Sequence, residues 1–133
     1  TRQLSHFVVA AAQDDLPATV RHAGRRAILN WLGCALGACR DVSIESTFRA
    51  VQPFFGPAQA TLVGRGGSAD MLNAALINAM AANAFDFDDT HLRTVIHPSA
   101  SIAAALFAVA EIAPDALDEY LAAIQAKVIE GDD

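Results

Sequence analysis

Residues Arg25–Ala38 read RRAILNWLGCALGA, a segment rich in residues that favour helix. Together with the residues before it, this segment repeats apolar or small side chains at helical spacing on one side. These side chains are Val20, Ala23, Ala27, Trp31 and Cys34. Asp14 gives a cap signal and Pro17 fits a first turn, so the sequence predicts a long helix from about Asp14 to Ala38. Because the segment is nearly apolar after Arg26, we expect both faces of this helix to be covered.

The same periodicity predicts an all-α fold, a helical bundle of about five helices that forms a single domain over residues 1–133. The expected helices are Arg2–Gln13, Asp14–Ala38, Ala69–Phe85, Pro98–Glu111 and a last one after Pro114. Ser68 is the expected N-cap of the third helix. A short helical piece at Ser43–Val51, a possible strand at Ala60–Val63 and a plain turn at Gly64–Gly67 separate the second and third helices. Three glycines inside the second helix indicate close crossing by another helix, and they are Gly24, Gly33 and Gly37.

Composition and charge exclude several classes of function. The 133 residues are 53% hydrophobic and 18% charged, which excludes a disordered chain and predicts apolar surface that meets a partner. A net charge of −6 offers no basic field for nucleic acid, and no segment has the roughly 20 apolar residues of a membrane span. Cys34 and Cys39 are too few for an iron–sulfur cluster and wrongly spaced for a redox pair, so they predict buried thiols in a reducing cytoplasm. The chain begins at Thr1 without an initiator Met, so we expect a processed chain or a piece of a longer protein.

The densest polar cluster of the chain lies at residues 86–99, between two apolar helices. It holds three carboxylates, two imidazoles, one guanidinium and three hydroxyls, a grouping typical of a functional site. Removing a proton beside a substrate carboxylate needs a base, and expelling a hydroxyl from the next carbon needs an acid. Asp86 and His97 are the candidates for these two roles. Arg93 is suited to clamping a substrate carboxylate and the first-turn amides near Ser99 to binding a second one, with Thr90 and Ser99 as hydroxyl donors.

Other interpretations of the cluster stay open. Asp88 and Asp89 have the positions of helix-cap and turn residues in a solvated loop. Asp86, Asp88 and His91 offer donor atoms for a divalent ion, which would suit a metal-dependent hydrolase, although the spacing matches neither a HExxH helix nor an EF-hand. Arg93 fits a structural ion pair with Asp86 or Asp89 equally well.

Residues 78–91 read NAMAANAFDFDDTH and residues 97–99 read HPS, and together they resemble the signature of the MmgE/PrpD family. This family includes 2-methylcitrate dehydratase, cis-aconitate decarboxylase and iminodisuccinate epimerase. The resemblance covers about residues 2–111. It implies a large all-helical domain joined to a smaller α+β lid domain, homodimerisation, no metal or organic cofactor, and proton abstraction from small di- or tricarboxylic acids. In the family the lid and further active-site His and Lys residues come from later segments, so we expect this chain to be an N-terminal part of the helical domain, without the lid.

The family pattern places the first Asp of DFDDT, its Thr and the His of HPS in the active site, which implies catalytic roles for Asp86, Thr90 and His97. We expect other polar residues of the cluster to bind substrate, and these are Asp89, His91, Arg93 and Ser99. The chain has Ala79 and Asn83 where the family commonly has Gly and His. The resulting prediction is a lyase that dehydrates a 2-methylcitrate-like acid. Decarboxylation, epimerisation and a non-catalytic helical dimerisation module are the alternatives.

Overall fold

The computed structural model describes Gln3 and residues 16–112, which contain four α-helices and one two-stranded sheet. The helices are α1 (Ala18–Ala38), α2 (Val42–Val51), α3 (Met71–Asn83) and α4 (Pro98–Ile112), and the strands are β1 (Ala60–Leu62) and β2 (Gly67–Ala69). A 3-10 turn at Gln52–Phe54 follows α2. The helices predicted at Arg2–Gln13 and after Pro114 lie outside the described residues.

The predicted all-α fold is right in its dominant helical content, but the prediction gave only a possible strand at Ala60–Val63 and omitted the second strand of the small sheet. β1 and β2 pair antiparallel, with Thr61 opposite Ser68. Ser68 is therefore a strand residue, and the prediction that it caps the third helix is wrong. Asp70 is the cap instead, because its carboxylate accepts hydrogen bonds from Asn73 N at 3.1 Å and Gly56 N at 3.0 Å. α3 consequently begins at Met71, later than expected.

The helical piece expected at Ser43–Val51 is the full helix α2. Its start is fixed by Asp41, whose carboxylate accepts hydrogen bonds from Ser43 N at 2.9 Å and Ser43 Oγ at 2.6 Å. The start of α4 at Pro98 also agrees with the prediction, because proline fits the first helical turn, where its missing N–H would have no helical partner.

The hairpin of β1 and β2 is bound to both of the neighbouring helices. Asn78 of α3 is buried, and its side chain accepts a hydrogen bond from Val63 N at 2.9 Å and donates one to Thr61 O at 2.8 Å. Glu111 of α4 accepts hydrogen bonds from Thr61 N at 3.1 Å and Thr61 Oγ1 at 2.6 Å. A two-stranded ribbon alone is marginal in water, so these side-chain contacts account for its stability here.

The core lies where α1, α3 and α4 meet. Trp31 of α1 is 1% exposed, stacks on Phe107 of α4 with ring centroids 5.0 Å apart, and donates a hydrogen bond from Nε1 to Ala100 O at 3.2 Å. Most other buried positions on α3 and α4 are alanines, which permit close packing of the two helix backbones. They include Ala74, Ala81, Ala82, Ala103, Ala104 and Ala108.

The outer face of α1 differs from the prediction. Leu29 is 71% exposed, and Leu36 is 49% exposed, so within residues 16–112 this face is not covered. An added Cβ at Gly24 or Gly33 would meet no described atom within 4 Å, so the expected close helix crossing is absent at both positions in this part of the chain. None of the described helices combines the length and the hydrophobicity that a bilayer crossing requires.

Candidate active site

The predicted polar cluster occupies the loop between the end of α3 and the start of α4. His91 N donates a hydrogen bond to Ile96 O at 2.9 Å, which closes a tight turn within this loop. Asp86 and Val95 have left-handed backbones, with φ of 57° and 53°. Such angles cost energy in residues with a side chain and are found where the surrounding structure holds them. The loop is therefore a defined structure that presents its side chains at fixed positions.

His97 lies between two carboxylates, one exposed and one buried. Its Nε2 is 3.5 Å from Asp86 Oδ1, and its Nδ1 is 3.2 Å from Asp88 Oδ1. The Asp86 side chain is 83% exposed, that of His97 is 25% exposed and that of Asp88 is fully buried. The two residues predicted as acid and base, Asp86 and His97, are thus brought together at the edge of the domain.

Asp88 was interpreted from the sequence as a cap or turn residue or as a metal ligand, and it was not included among the predicted catalytic or substrate-binding residues. Its carboxylate accepts hydrogen bonds from Asn83 Nδ2, at 3.1 Å to Oδ2 and 3.3 Å to Oδ1. The backbone between Asp86 and Asp88 is held by α1, since Asn30 Nδ2 donates to Phe87 O at 3.0 Å. The available signal was the clustering of Asp86 and Asp88 with a histidine in one short loop, because grouped titratable residues indicate a functional site.

Asp89 and Ser99, both predicted to bind substrate, bind each other. Asp89 accepts hydrogen bonds from Ser99 N at 3.1 Å and from Ser99 Oγ at 2.7 Å. The carboxylate of Asp89 thus caps the first turn of α4 and joins the middle of the loop to its end. The Ser99 amide is not free for a substrate carboxylate in this arrangement, contrary to the expectation for that amide.

The remaining predicted site residues lie on the exposed part of the loop. Thr90 Oγ1 is 3.5 Å from Asp88 O, and His91 Nδ1 is 2.7 Å from Thr94 Oγ1. Arg93 is exposed and makes no ion pair with Asp86 or Asp89, so the interpretation of Arg93 as a structural partner of those carboxylates is not supported. Within the described residues, Thr90, His91 and Arg93 make no hydrogen bond or ion pair with Asp86 or His97.

The comparisons with known proteins agree with the resemblance of the loop sequence. A family model described as the MmgE/PrpD N-terminal domain matches residues 2–129. The chain belongs to the MmgE/PrpD family. A curated relative, the cis-aconitate decarboxylase-like protein oryM of Aspergillus oryzae (strain ATCC 42149 / RIB 40), is 24% identical over 112 residues, which are 84% of this chain and 23% of the relative. This MmgE/PrpD chain thus spans less than a quarter of the length of that relative. No solved structure matches the chain significantly.

A cleft of about 740 Å³ lies between α1 and the loop in this MmgE/PrpD domain. Its lining combines one cation, one amide, one thiol and one carboxylate with small or apolar side chains. The lining residues are Ala23, Arg26, Ala27, Leu29, Asn30, Gly33, Cys34 and Asp89. Asp89 is the residue of the loop that lines this cleft, whereas Asp86 and His97 are not part of the described lining.

The two cysteines of this MmgE/PrpD chain are both free. Cys39 is buried as expected, whereas Cys34 is only half-buried in the wall of the cleft. Burial raises the pKa of the Cys34 thiol, and the carboxylates of Asp88 and Asp89 raise that pKa further. The thiol is therefore protonated at neutral pH and is not suited to act as a nucleophile.

Asp86, Asp88 and His97 each offer one donor atom, and these atoms lie within 4.8 Å of one another. This is close enough for a shared divalent cation, and oxygen and imidazole donors suit several such ions. The set differs from the predicted metal ligands, because His91 is replaced by His97. The same three residues make up the acid–base arrangement of the MmgE/PrpD loop.

Proposed function

We propose that this MmgE/PrpD chain supplies the acid–base centre of a lyase that acts on a small di- or tricarboxylic acid. The observation that carries the proposal is the position of His97, with Nε2 3.5 Å from Asp86 Oδ1 at the open side of the loop. An imidazole beside an exposed carboxylate can remove a proton from carbon and return a proton to a leaving group. The cleft of about 740 Å³ that Asp89 lines has room for the rest of a small acid.

The specific reaction that we propose is dehydration of a 2-methylcitrate-like acid. One member of the pair Asp86 and His97 takes the proton from the carbon next to a carboxylate. The other member protonates the departing hydroxyl, which leaves as water while a carbon–carbon double bond forms. Either residue suits either role. We assign Thr90 as a hydrogen-bond donor at the reacting carbon and propose a substrate-binding set of Asp89, His91, Arg93 and Ser99, in which Arg93 pairs with a substrate carboxylate.

Decarboxylation is the second candidate, and the name of the cis-aconitate decarboxylase-like relative favours it. In that reaction the substrate loses CO2 and the carbanion-like carbon takes a proton from the same acid. The full-length protein should therefore be incubated separately with 2-methylcitrate and with cis-aconitate while the products are followed by proton NMR. Loss of water from the first acid supports dehydration, and CO2 release from the second supports decarboxylation.

The proposed acid–base role is tested by His97→Ala in the full-length protein. Removing a general acid or base lowers kcat by about 10²- to 10⁴-fold, and we expect a loss of that size with unchanged folding by circular dichroism. His22→Ala is the matched control, because His22 is exposed on α1 and is not part of the loop or the cleft lining. Unchanged turnover in His97→Ala would refute the assignment.

We propose that the reaction needs no metal and no organic cofactor, as the family resemblance implies. Prolonged dialysis against EDTA should then leave kcat unchanged. Loss of activity on dialysis, with recovery on addition of one divalent ion, would favour a metal-dependent hydrolase that uses Asp86, Asp88 and His97 as ligands.

A further inference from the structure

We propose that Asp88 and Asn83 are positioning residues for His97 and that they fix its proton on Nδ1, so that Nε2 is the nitrogen that reacts. This inference rests on the proposed function, because it treats His97 as a catalytic group. It concerns two residues to which neither the loop signature nor the expected catalytic set assigned a role.

The first step of the argument is the burial of Asp88. A buried carboxylate must be partnered, since it loses its hydration. Within the described residues, the hydrogen bonds to this carboxylate come from Asn83 Nδ2 alone, at 3.1 and 3.3 Å. One neutral amide donates fewer hydrogen bonds than the two carboxylate oxygens can accept. Asp88 therefore needs a further donor.

The second step identifies His97 as that donor. His97 Nδ1 is buried, has no aligned hydrogen-bond partner among the described residues and lies 3.2 Å from Asp88 Oδ1. The separation already suits a hydrogen bond, and a rotation of the ring supplies the alignment that such pairs often reach only with substrate bound. An ionised carboxylate can only accept, so a hydrogen bond between Asp88 and His97 requires the proton on Nδ1; we favour this nitrogen over Nε2 because Asp88 is nearer than Asp86 and is buried.

The third step concerns the opposite nitrogen of the ring. Nε2 lies 3.5 Å from Asp86, whose side chain is 83% exposed, so Nε2 is directed to the open side of the site. With the proton on Nδ1, the lone pair of the neutral ring is at Nε2, where a substrate can approach. Two asparagines hold the loop so that Nδ1 faces Asp88 and Nε2 faces Asp86. Asn83 is the last residue of α3, and Asn30 of α1 donates a hydrogen bond to the backbone of Phe87.

The experiment uses the full-length protein and long-range ¹H–¹⁵N NMR of the imidazole nitrogens, at a pH where His97 is neutral. The signals of His97 are assigned by their loss in His97→Ala. We expect the proton on Nδ1 in the wild type. In Asp88→Asn the new amide can donate to Nδ1, and we expect the imidazole proton to move to Nε2. Replacing an orienting Asp by Asn in a carboxylate–histidine pair lowers kcat by up to about 10⁴-fold, so we expect kcat to decrease as well.

Asn83→Ala provides a second variant, which keeps the test valid if Asp88→Asn does not fold. It removes the amide donor and leaves the carboxylate, so we expect a mixture of the two tautomers and a decrease in kcat with little change in KM. Asn83→Gln retains a donor and should recover part of the loss. Asp41→Asn, which changes the capping carboxylate before α2, is the control and should leave the His97 signals unchanged.

The tautomer of His97 tests the positioning role, and the turnover of the candidate acids tests the proposed function, so the two can fail independently. A wild-type proton on Nε2, or the same tautomer in the wild type, Asp88→Asn and Asn83→Ala, overturns the positioning role even if lyase activity is found. A tautomer that changes as expected, in a protein that turns over none of the candidate acids, supports the orientation of His97 by Asp88 and refutes the lyase assignment.

Discussion

Gly64 occupies a position that no other residue can take without cost. Its φ is 70°, and a Cβ added there would lie 2.6 Å from Cys39 Sγ and 3.3 Å from Leu36 Cδ2. Gly66 in the same turn has a φ of 69°, but a Cβ there would meet no described atom within 4 Å. The two glycines thus share the backbone requirement and differ in the space around them.

Substituting each glycine by alanine separates the two effects. Gly66→Ala should cost about 1–2 kcal/mol of unfolding free energy from the left-handed backbone alone. Gly64→Ala should cost that amount plus about 1–3 kcal/mol for the overpacking against Cys39. Urea denaturation of the two variants measures the difference, and equal losses would contradict the predicted clash.

At the scale of single residues, the sequence predicted that Asp86 and His97 act together, but it did not predict that Asp88 also meets His97. Acids, bases and hydroxyls close together in sequence indicate a site whatever their exact contacts. The role of Asp88 depends on its burial beneath the loop and on the amide of Asn83, which are contacts between an element and a loop. A local pattern does not contain that information, so the sequence left Asp88 open as a turn residue or a metal ligand and did not indicate its contact with His97.

At the scale of secondary-structure elements, the N-cap of α3 predicts how stability depends on pH. Hydrogen bonds from the Asn73 side chain and backbone hold the pKa of its capping residue, Asp70, below the usual value. A group whose pKa is lowered in the folded state contributes its full stabilisation above its unfolded-state pKa, which is about 3.9 for Asp. It loses that stabilisation as the pH falls through its folded-state pKa. Ionised Asp70 therefore stabilises α3 at neutral pH and ceases to do so in acid.

The variant Asp70→Asn retains a capping oxygen and removes the charge. We expect the Tm of the wild type to exceed that of the variant at neutral pH, and the difference to close below about pH 4. Thermal unfolding followed by circular dichroism across this range measures both values. A difference that persists unchanged at pH 2 would show that the cap acts without its charge.

The helices were predicted well where a residue or pattern close in sequence marks their position. Pro98 began α4 as expected, and the apolar periodicity located α1 and α3. The error at Ser68 arose because Ser68 and Asp70 are both good capping residues, and pairing with Thr61 across the hairpin decided between them. The second strand was missed for the same reason, since β2 is defined by its pairing with β1.

At the scale of the whole molecule, exposed apolar side chains of α1 predict an interface with a partner. Ile28, Leu32 and Leu36 recur four residues apart on α1 and are 47%, 38% and 49% exposed. Such a stripe is typical of a surface that meets a partner. We therefore propose that the full-length protein is a homodimer and that this stripe of α1 contributes to its interface.

Light scattering of the wild type should give the mass of two chains. The double substitution Leu32→Glu and Leu36→Glu should raise the dissociation constant about tenfold or more, because burying two leucines contributes more than the 1.4 kcal/mol that corresponds to one decade. Leu72→Glu is the control, since Leu72 is 73% exposed on α3. A monomeric wild type, or equal effects of the two changes, would refute this interface.

Trp31 is the single tryptophan of the chain. It lies 1% exposed in the core and is stacked on Phe107 of α4. An indole shielded from water emits ultraviolet light at shorter wavelength than a hydrated one, and the neighbouring ring changes its intensity. The intrinsic tryptophan fluorescence of these 133 residues is therefore an optical probe of the contact between α1 and α4.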